Sequence, residues 1–201
     1  MQHSVFHCRH CIRKEIKLET LYKNIHQEII DSCRKGDRKA QSQLYKLYYK
    51  SMYNVSLRIV QDEMEAEDVM QESFLKAFSK IGTYKGEVSF GAWLKKIVVN
   101  RSLDILKKRK VKFEEINERQ HDVQDFQMVA KEVDIDKIKE AVSNLPDGYR
   151  VVLSLYLFEG YDHDEISQIL GISNSASRTQ YMRAKNKLKD LLQNEEVFSY
   201  N

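Results

Sequence analysis

Asp68, Gln71, Glu72 and Leu75 fall at i, i+3, i+4 and i+7, so a helix carries them on one face. Two carboxylates one turn apart can form half of a metal or acid–base site. Joined by an amide and an outward leucine, they can equally form a docking surface, or a plain solvated face. Metal chemistry needs further ligands converging from elsewhere, and no His or Cys pattern in the surrounding segment supplies them. A second set lies in YKGEVSFGAWLKKIVVNRSLDILKKRK. There Tyr84, Phe90 and Trp93 flank a glycine-containing loop with Lys85. Lys96, Asn100, Asp104 and Lys107 extend from it as a helical stripe beside Arg101 and Lys108. Asn, Asp and Lys can pair with base edges, and aromatic rings can stack on unpaired bases. In the plainer alternative Phe90 and Trp93 are core anchors and the lysines only solubilise.

A third set follows Gly171. Ser177, Tyr181, Ala184 and Leu188 mark an inward stripe, while Asn174, Ser175, Arg178, Thr179, Gln180, Arg183 and Lys187 lie on other sides. An arginine set bidentately on a guanine gives roughly 1–3 kcal/mol of discrimination. A lysine on phosphate adds affinity without sequence information. His7, Cys8, His10 and Cys11 are zinc donors by type, but they are crowded and no distant pair completes a finger. An incidental tail or a redox-sensitive one are the other readings. No metal and no cofactor are expected.

Helices must position these sets. One proline and seven glycines punctuate a chain rich in Leu, Lys, Glu, Ile and Gln, and regular strand alternation is hard to find. The expected fold is all-α, with two small helical domains joined by a flexible linker. Residues 1–25 read as an arm, 26–110 as the first domain, 111–133 as the linker, 134–194 as the second domain and 195–201 as a tail. In the first domain Leu44, Leu47, Tyr48, Met52, Val55 and Ile59 keep the spacing of one buried face. Ala66, Val69, Met70, Phe74, Ala77, Phe78 and Ile81 do the same. Gly82–Gly91 reads as a loop, and a third helix starts near Phe90–Trp93. In the second domain Val151, Val152, Leu155 and Tyr156 form a core face after Pro146. Asp162 and Glu165 have the spacing of a capping box, Gly171 suits a tight turn, and Ser173 or Asn174 can cap the next helix. Two helices about a glycine turn, the second one basic, are the layout of a DNA-reading helix-turn-helix.

Charge is segregated although the formal net charge is only +3. Lys95–Lys112 holds eight basic residues against Asp104 alone, while Asp62–Glu72 holds six acids and no base. A surface that follows phosphates thus sits beside one that repels them, which suggests two different partners. Val151–Phe158 is the longest apolar stretch and is too short for a bilayer, so no direct membrane insertion is expected. Three cysteines make no disulfide framework, and the cytoplasm is the expected compartment.

These segments together resemble the bacterial RNA polymerase sigma factors of the short extracytoplasmic-function (ECF) type, over about Asp31–Lys110 and Ile135–Leu192. AEDVMQESFLKAF is similar to the family's part that docks on the polymerase β′ clamp helices, with Asp68, Gln71 and Glu72 on its D-x-x-Q-E pattern. FGAWLKKIVVNRSLDILKKRK resembles the part that opens and reads the minus-ten element, where Asn100 and Asp104 match positions contacting unpaired bases. LPDGYRVVLSLYLFEGYDHDEISQILGIS and the following RAKNKL resemble the domain that reads the minus-thirty-five element. Ser177 stands where the family commonly has a buried valine, and Gln180 where a basic residue is common. The resemblance implies core RNA polymerase (β′ clamp helices and β flap), promoter DNA and an anti-sigma protein as partners, and no catalysis. Separating DNA costs about 1.4 kcal/mol per step, hence on the order of 15 kcal/mol for a promoter bubble of roughly a dozen steps. Each captured base returns about 1–3 kcal/mol, so the chain is expected to need the polymerase to open DNA. A regulator binding duplex operators by itself, as a dimer, and a helical enzyme using Asp68 and Glu72 are the competing readings.

Overall fold

The computed structural model describes residues 25–109 and 135–198, with side chains through Leu192. The proposed arm with its His7–Cys11 cluster, the 111–133 linker and most of the tail lie outside the described residues. Eight α-helices and one 3-10 turn make up the described fold, and no strand occurs among these residues. The first module contains α1 (Gln27–Arg34), α2 (Arg38–Val60), α3 (Glu63–Ser79), the 3-10 turn Ile81–Thr83 and α4 (Phe90–Lys108). The second contains α5 (Ile135–Ser143), α6 (Asp147–Leu157), α7 (His163–Leu170) and α8 (Asn174–Phe198).

Local chemistry sets the boundaries. Asp37 caps α2 by accepting from the Lys39 and Ala40 amides, and Asp62 caps α3 through the Glu65 amide. These carboxylates fill orphan donors at helix starts and oppose the positive end of each dipole. Ser89 caps α4 by accepting from the Ala92 amide. Gly91 then lies in the first turn of α4, where a Cβ would come within 3.0 Å of the Tyr48 ring. Glycine here lets α4 approach α2 closely. Further along, Ser56 and Ser102 are buried at the same crossing, their hydroxyls 3.5 Å apart.

The long helix α2 packs on both α3 and α4, which also pack on each other, and its Leu44, Met52, Val55 and Ile59 are buried there. Leu47 departs from the expected face, because it is 50% exposed. A stripe spaced by threes and fours drifts around a long helix, and Leu47 lies beyond its edge. Ala66, Val69, Met70, Phe74 and Ala77 are buried as expected, and Ile81 is buried from the 3-10 turn rather than from α3.

In the second module Val151, Val152 and Leu155 are buried, while Tyr156 lies at the surface against His163 and Tyr181. The modules do not keep wholly separate interiors. Val151, Val152, Leu155, Ile166 and Leu170 join the hydrophobic cluster of the first module, while Val142, Leu145, Leu153 and Ala184 form a smaller one. Arg150 is buried and donates to the Leu145 carbonyl at 2.9 Å and across the module boundary to that of Ile59 at 3.5 Å.

Candidate nucleic-acid interface

The turn between α7 and α8 has the expected chemistry in full. Asp162 accepts from the Glu165 amide at 2.8 Å, and the Glu165 carboxylate accepts from the Asp162 amide at 2.9 Å, closing the capping box. Gly171 ends α7 with φ +70°, a conformation that costs a residue with a Cβ about 1–2 kcal/mol. Ser173, not Asn174, caps α8, accepting from the Ala176 amide at 3.1 Å. Asn174 instead donates to Asp164 at 2.6 Å and accepts from Arg178 at 2.8 Å. That bridge orients Arg178 on the exposed side of α8, together with exposed Ser175 and Lys187 and half-exposed Thr179 and Arg183.

Gln180 corrects the expectation of a DNA contact. Its side chain is buried, with Oε1 next to Gly148 of α6, so it packs the module and presents nothing to a groove. Ser177, also buried, explains how a hydroxyl replaces an aliphatic group: it hydrogen-bonds with His163 Nδ1 at 2.9 Å. Burial, followed by the Arg178 charge, holds the His163 imidazole below its usual range, which favours its neutral form.

On α4, Lys96, Asn100, Asp104, Lys107 and Lys108 are all exposed, opposite buried Leu94, Val98 and Leu106. The first four of these form the expected stripe. Two of the three aromatic residues do not face solvent. Tyr84 and Phe90 are buried and meet edge-on at 5.6 Å, and Tyr84 is further fixed through its hydroxyl to the Val88 carbonyl at 2.6 Å. Their rings anchor the loop to the core and cannot stack on bases. Trp93 is half-buried, packed at 5.3 Å from Tyr84 and 5.5 Å from Phe90, and lines an open cleft. Lys85 is exposed on the same loop.

On α3, Asp68, Gln71, Glu72 and Leu75 are all exposed, Leu75 at 71%. A leucine that open on a face of acids leaves about 1.5–3 kcal/mol of burial available to a partner. Gln71 donates to Glu67 at 3.1 Å. Arg101, grouped by sequence with the nucleic-acid residues, turns instead toward α3 and pairs with Glu72 at 2.5 Å. Arg109, one of the basic run, donates to the Val60 carbonyl at 2.8 Å and pairs with Glu65, so it ties α4 to the end of α2. Spacing along α4 gave no sign of either bond, because both partners lie far away in sequence. No group of three His, Cys, Asp or Glu residues converges as a metal site among the described residues.

The arrangement therefore combines a helix-turn-helix that exposes a basic helix, a second helix with a polar and cationic stripe, and an acidic helix with an exposed leucine. This is the layout of a two-module DNA-binding transcription protein. Residues 44–111 match the family model described as Sigma-70 region 2, and residues 135–188 match Sigma-70, region 4. The chain is 26% identical over 180 residues to the RNA polymerase sigma-H factor of Pseudomonas aeruginosa, covering 83% of this chain and 93% of that one. It is 28% identical over 152 residues to the ECF RNA polymerase sigma factor SigM of Bacillus subtilis, covering 74% and 93%. Among solved structures it resembles the sigma factor RpoE in complex with the anti-sigma factor NepR from Bartonella quintana, with TM-score 0.53, 21% identity and coverage of 76% and 96%. CnrH in complex with the cytosolic domain of CnrY gives TM-score 0.51, 20% identity and coverage of 84% and 97%. The chain belongs to the RNA polymerase sigma factors of the ECF type. It acts in promoter-specific transcription initiation through RNA polymerase.

Proposed function

We propose a division of labour among three faces. Asp68, Gln71, Glu72 and Leu75 of α3 dock on the β′ clamp helices of core polymerase. Trp93, Lys96, Asn100 and Asp104 of α4 take the opened non-template strand of the minus-ten element, with Lys85, Lys107 and Lys108 along its phosphates. Ser175, Arg178, Thr179, Arg183 and Lys187 of α8 enter the major groove at the minus-thirty-five element, and Asn174 holds Arg178 in position. The 26–110 and 134–194 segments are the corresponding domains, and the linker 111–133 passes near the active-site channel of the polymerase. The chain works in the cytoplasm and performs no catalysis of its own; no described helix is long and apolar enough to cross a membrane. Because the two solved relatives are complexes with CnrY and with the anti-sigma factor NepR, an anti-sigma protein is the further partner proposed.

One observation carries this reading: the acidic and the strand-reading surfaces lie on separate helices, α3 and α4, each exposed opposite its own buried stripe. Run-off transcription with added core polymerase tests it. Reversing Asp68 and truncating Leu75 to alanine should abolish capture of the core enzyme. Asn100→Ala should impair open-complex formation while leaving association with duplex promoter nearly unchanged. Undiminished capture removes the docking assignment, and equal effects on the two DNA steps remove the strand-reading one.

A further inference from the structure

Three side chains of the helix-turn-helix form one line of hydrogen bonds across its turn. Asp164 is the second residue of α7, Asn174 opens α8, and Arg178 follows Asn174 by one helical turn. Asn174 Nδ2 donates to Asp164 Oδ1 at 2.6 Å, and Arg178 Nε donates to Asn174 Oδ1 at 2.8 Å. These partners fix which way the amide faces, because an ionised carboxylate only accepts and a guanidinium only donates. Ser173 caps α8 by taking the Ala176 amide, so the Asn174 side chain is spared that task and joins α7 to Arg178. His163, next to Asp164, also registers where the guanidinium is held: after burial, the Arg178 charge keeps its imidazole below the usual range. Asp164 and Arg178 are exposed and Asn174 is half-exposed. Polar contacts this open to water add little to stability, so their effect is on orientation.

We infer that Asp164 acts through Asn174 as a positioning residue that sets Arg178 end-on for a guanine of the minus-thirty-five element. This rests on the insertion of α8 into the major groove proposed above. A guanidinium carries five N–H donors in a rigid fork. Asn174 takes the one on Nε, which leaves the two Nη groups at the far end as the pair that matches guanine O6 and N7. Adenine offers one acceptor and one donor there, so the same fork does not fit it. A long side chain gives up rotamer freedom when it docks, and one already held gives up less. Asp164 gives the line a fixed end, because the capping box of Asp162 and Glu165 holds the first turn of α7. Its negative charge beside the groove meanwhile lowers affinity for any DNA. Asp164 thus sharpens discrimination and weakens sequence-independent binding, two opposite effects that a plain solvated acid does not combine.

The test uses holoenzyme assembled from core polymerase and the full chain, on duplex fragments carrying the minus-thirty-five element of a promoter mapped by run-off transcription. Each guanine is replaced in turn by 7-deazaguanine, which lacks the N7 acceptor, and fluorescence anisotropy reports affinity. One replacement should weaken binding of the parent by about five- to tenfold. Arg178→Lys should lose that sensitivity, because an ammonium has no fork. Asp164→Ala should shrink it to about twofold or less while binding DNA of unrelated sequence as tightly as the parent or more so. Asn174→Ala breaks the same line from its middle and should shrink it likewise, which covers poor folding of the first variant. Asp164→Asn keeps an acceptor for the Asn174 amide and should retain most of the sensitivity. Parent-like sensitivity in Asp164→Ala and Asn174→Ala, with Arg178→Lys insensitive, overturns the positioning role and leaves groove reading by α8 standing. A parent indifferent to every replacement overturns the guanine assignment. An Arg178→Ala holoenzyme that binds the promoter as tightly as the parent removes the groove-reading role of Arg178 itself.

Discussion

Arg101 shows how one side chain can belong to a face other than the one its neighbours suggest. It lies between Asn100 and Asp104 in sequence, yet its guanidinium holds Glu72 on α3 at 2.5 Å. Both groups are partly exposed, so the pair contributes only about 0.2–1 kcal/mol to stability. Its larger effect is to fix the orientation of a carboxylate in the proposed docking face. Arg101→Gln should weaken capture of core polymerase by roughly two- to fivefold, equivalent to about 0.5–1 kcal/mol, with little change in melting temperature. Equal capture by the two proteins leaves Arg101 no part in docking. Phe90 is the opposite case, a ring that spacing places beside DNA and folding places in the core. Phe90→Ala should destabilise the first module by about 3–5 kcal/mol, measurable by urea unfolding. Trp93→Ala should cost less, because its side chain is only half-buried.

At the scale of the element, the α7–α8 turn is the best-specified part of the chain. Capping box, left-handed glycine and Ser173 cap each satisfy a backbone need that can be read locally. No side chain within 4 Å of Gly171 stands in the way of a Cβ, so Gly171→Ala tests the backbone strain alone. It should lower stability by about 1–2 kcal/mol and weaken duplex binding through the angle of α8. His163 adds a pH dependence. Its folded-state value lies below that of an unfolded histidine, near 6.5, so below that pH the unfolded chain binds more protons than the folded one. Stability conferred by neutral His163 is thus present above about pH 6.5 and is lost as pH falls through the folded value. Thermal melts should show the midpoint falling as pH is lowered through this window, and His163→Gln should flatten that slope. An identical slope in the variant assigns it to other groups.

Across the whole molecule, the contact between modules changes the meaning of residues that look independent along the chain. Glu159 and Arg58 are 101 positions apart, and no local pattern links them. Because their carboxylate is shielded, the contact should resist moderate salt, unlike the exposed Lys139–Asp136 pair. Raising salt to about 0.5 M should therefore weaken oligonucleotide binding by counterion competition before it expands the free chain. Scattering and fluorescence anisotropy along one salt series separate the two. Expansion that precedes the loss of binding contradicts a shielded contact between the modules.

Helical class, the two-module order, the caps of the α7–α8 turn and the exposed acidic face were legible in the sequence, because each follows from short-range spacing or backbone chemistry that neighbours in sequence decide. The family resemblance was legible for the same reason, in segments such as AEDVMQESFLKAF. Tertiary structure alone placed Tyr84, Phe90 and Gln180 in the interior, turned Arg101 toward α3, left Leu47 outside and set Glu159 between Arg58 and Lys95. A ring or an amide on a helix border satisfies either environment by type. Which one it meets depends on the helix that packs across it, and that partner lies tens of residues away.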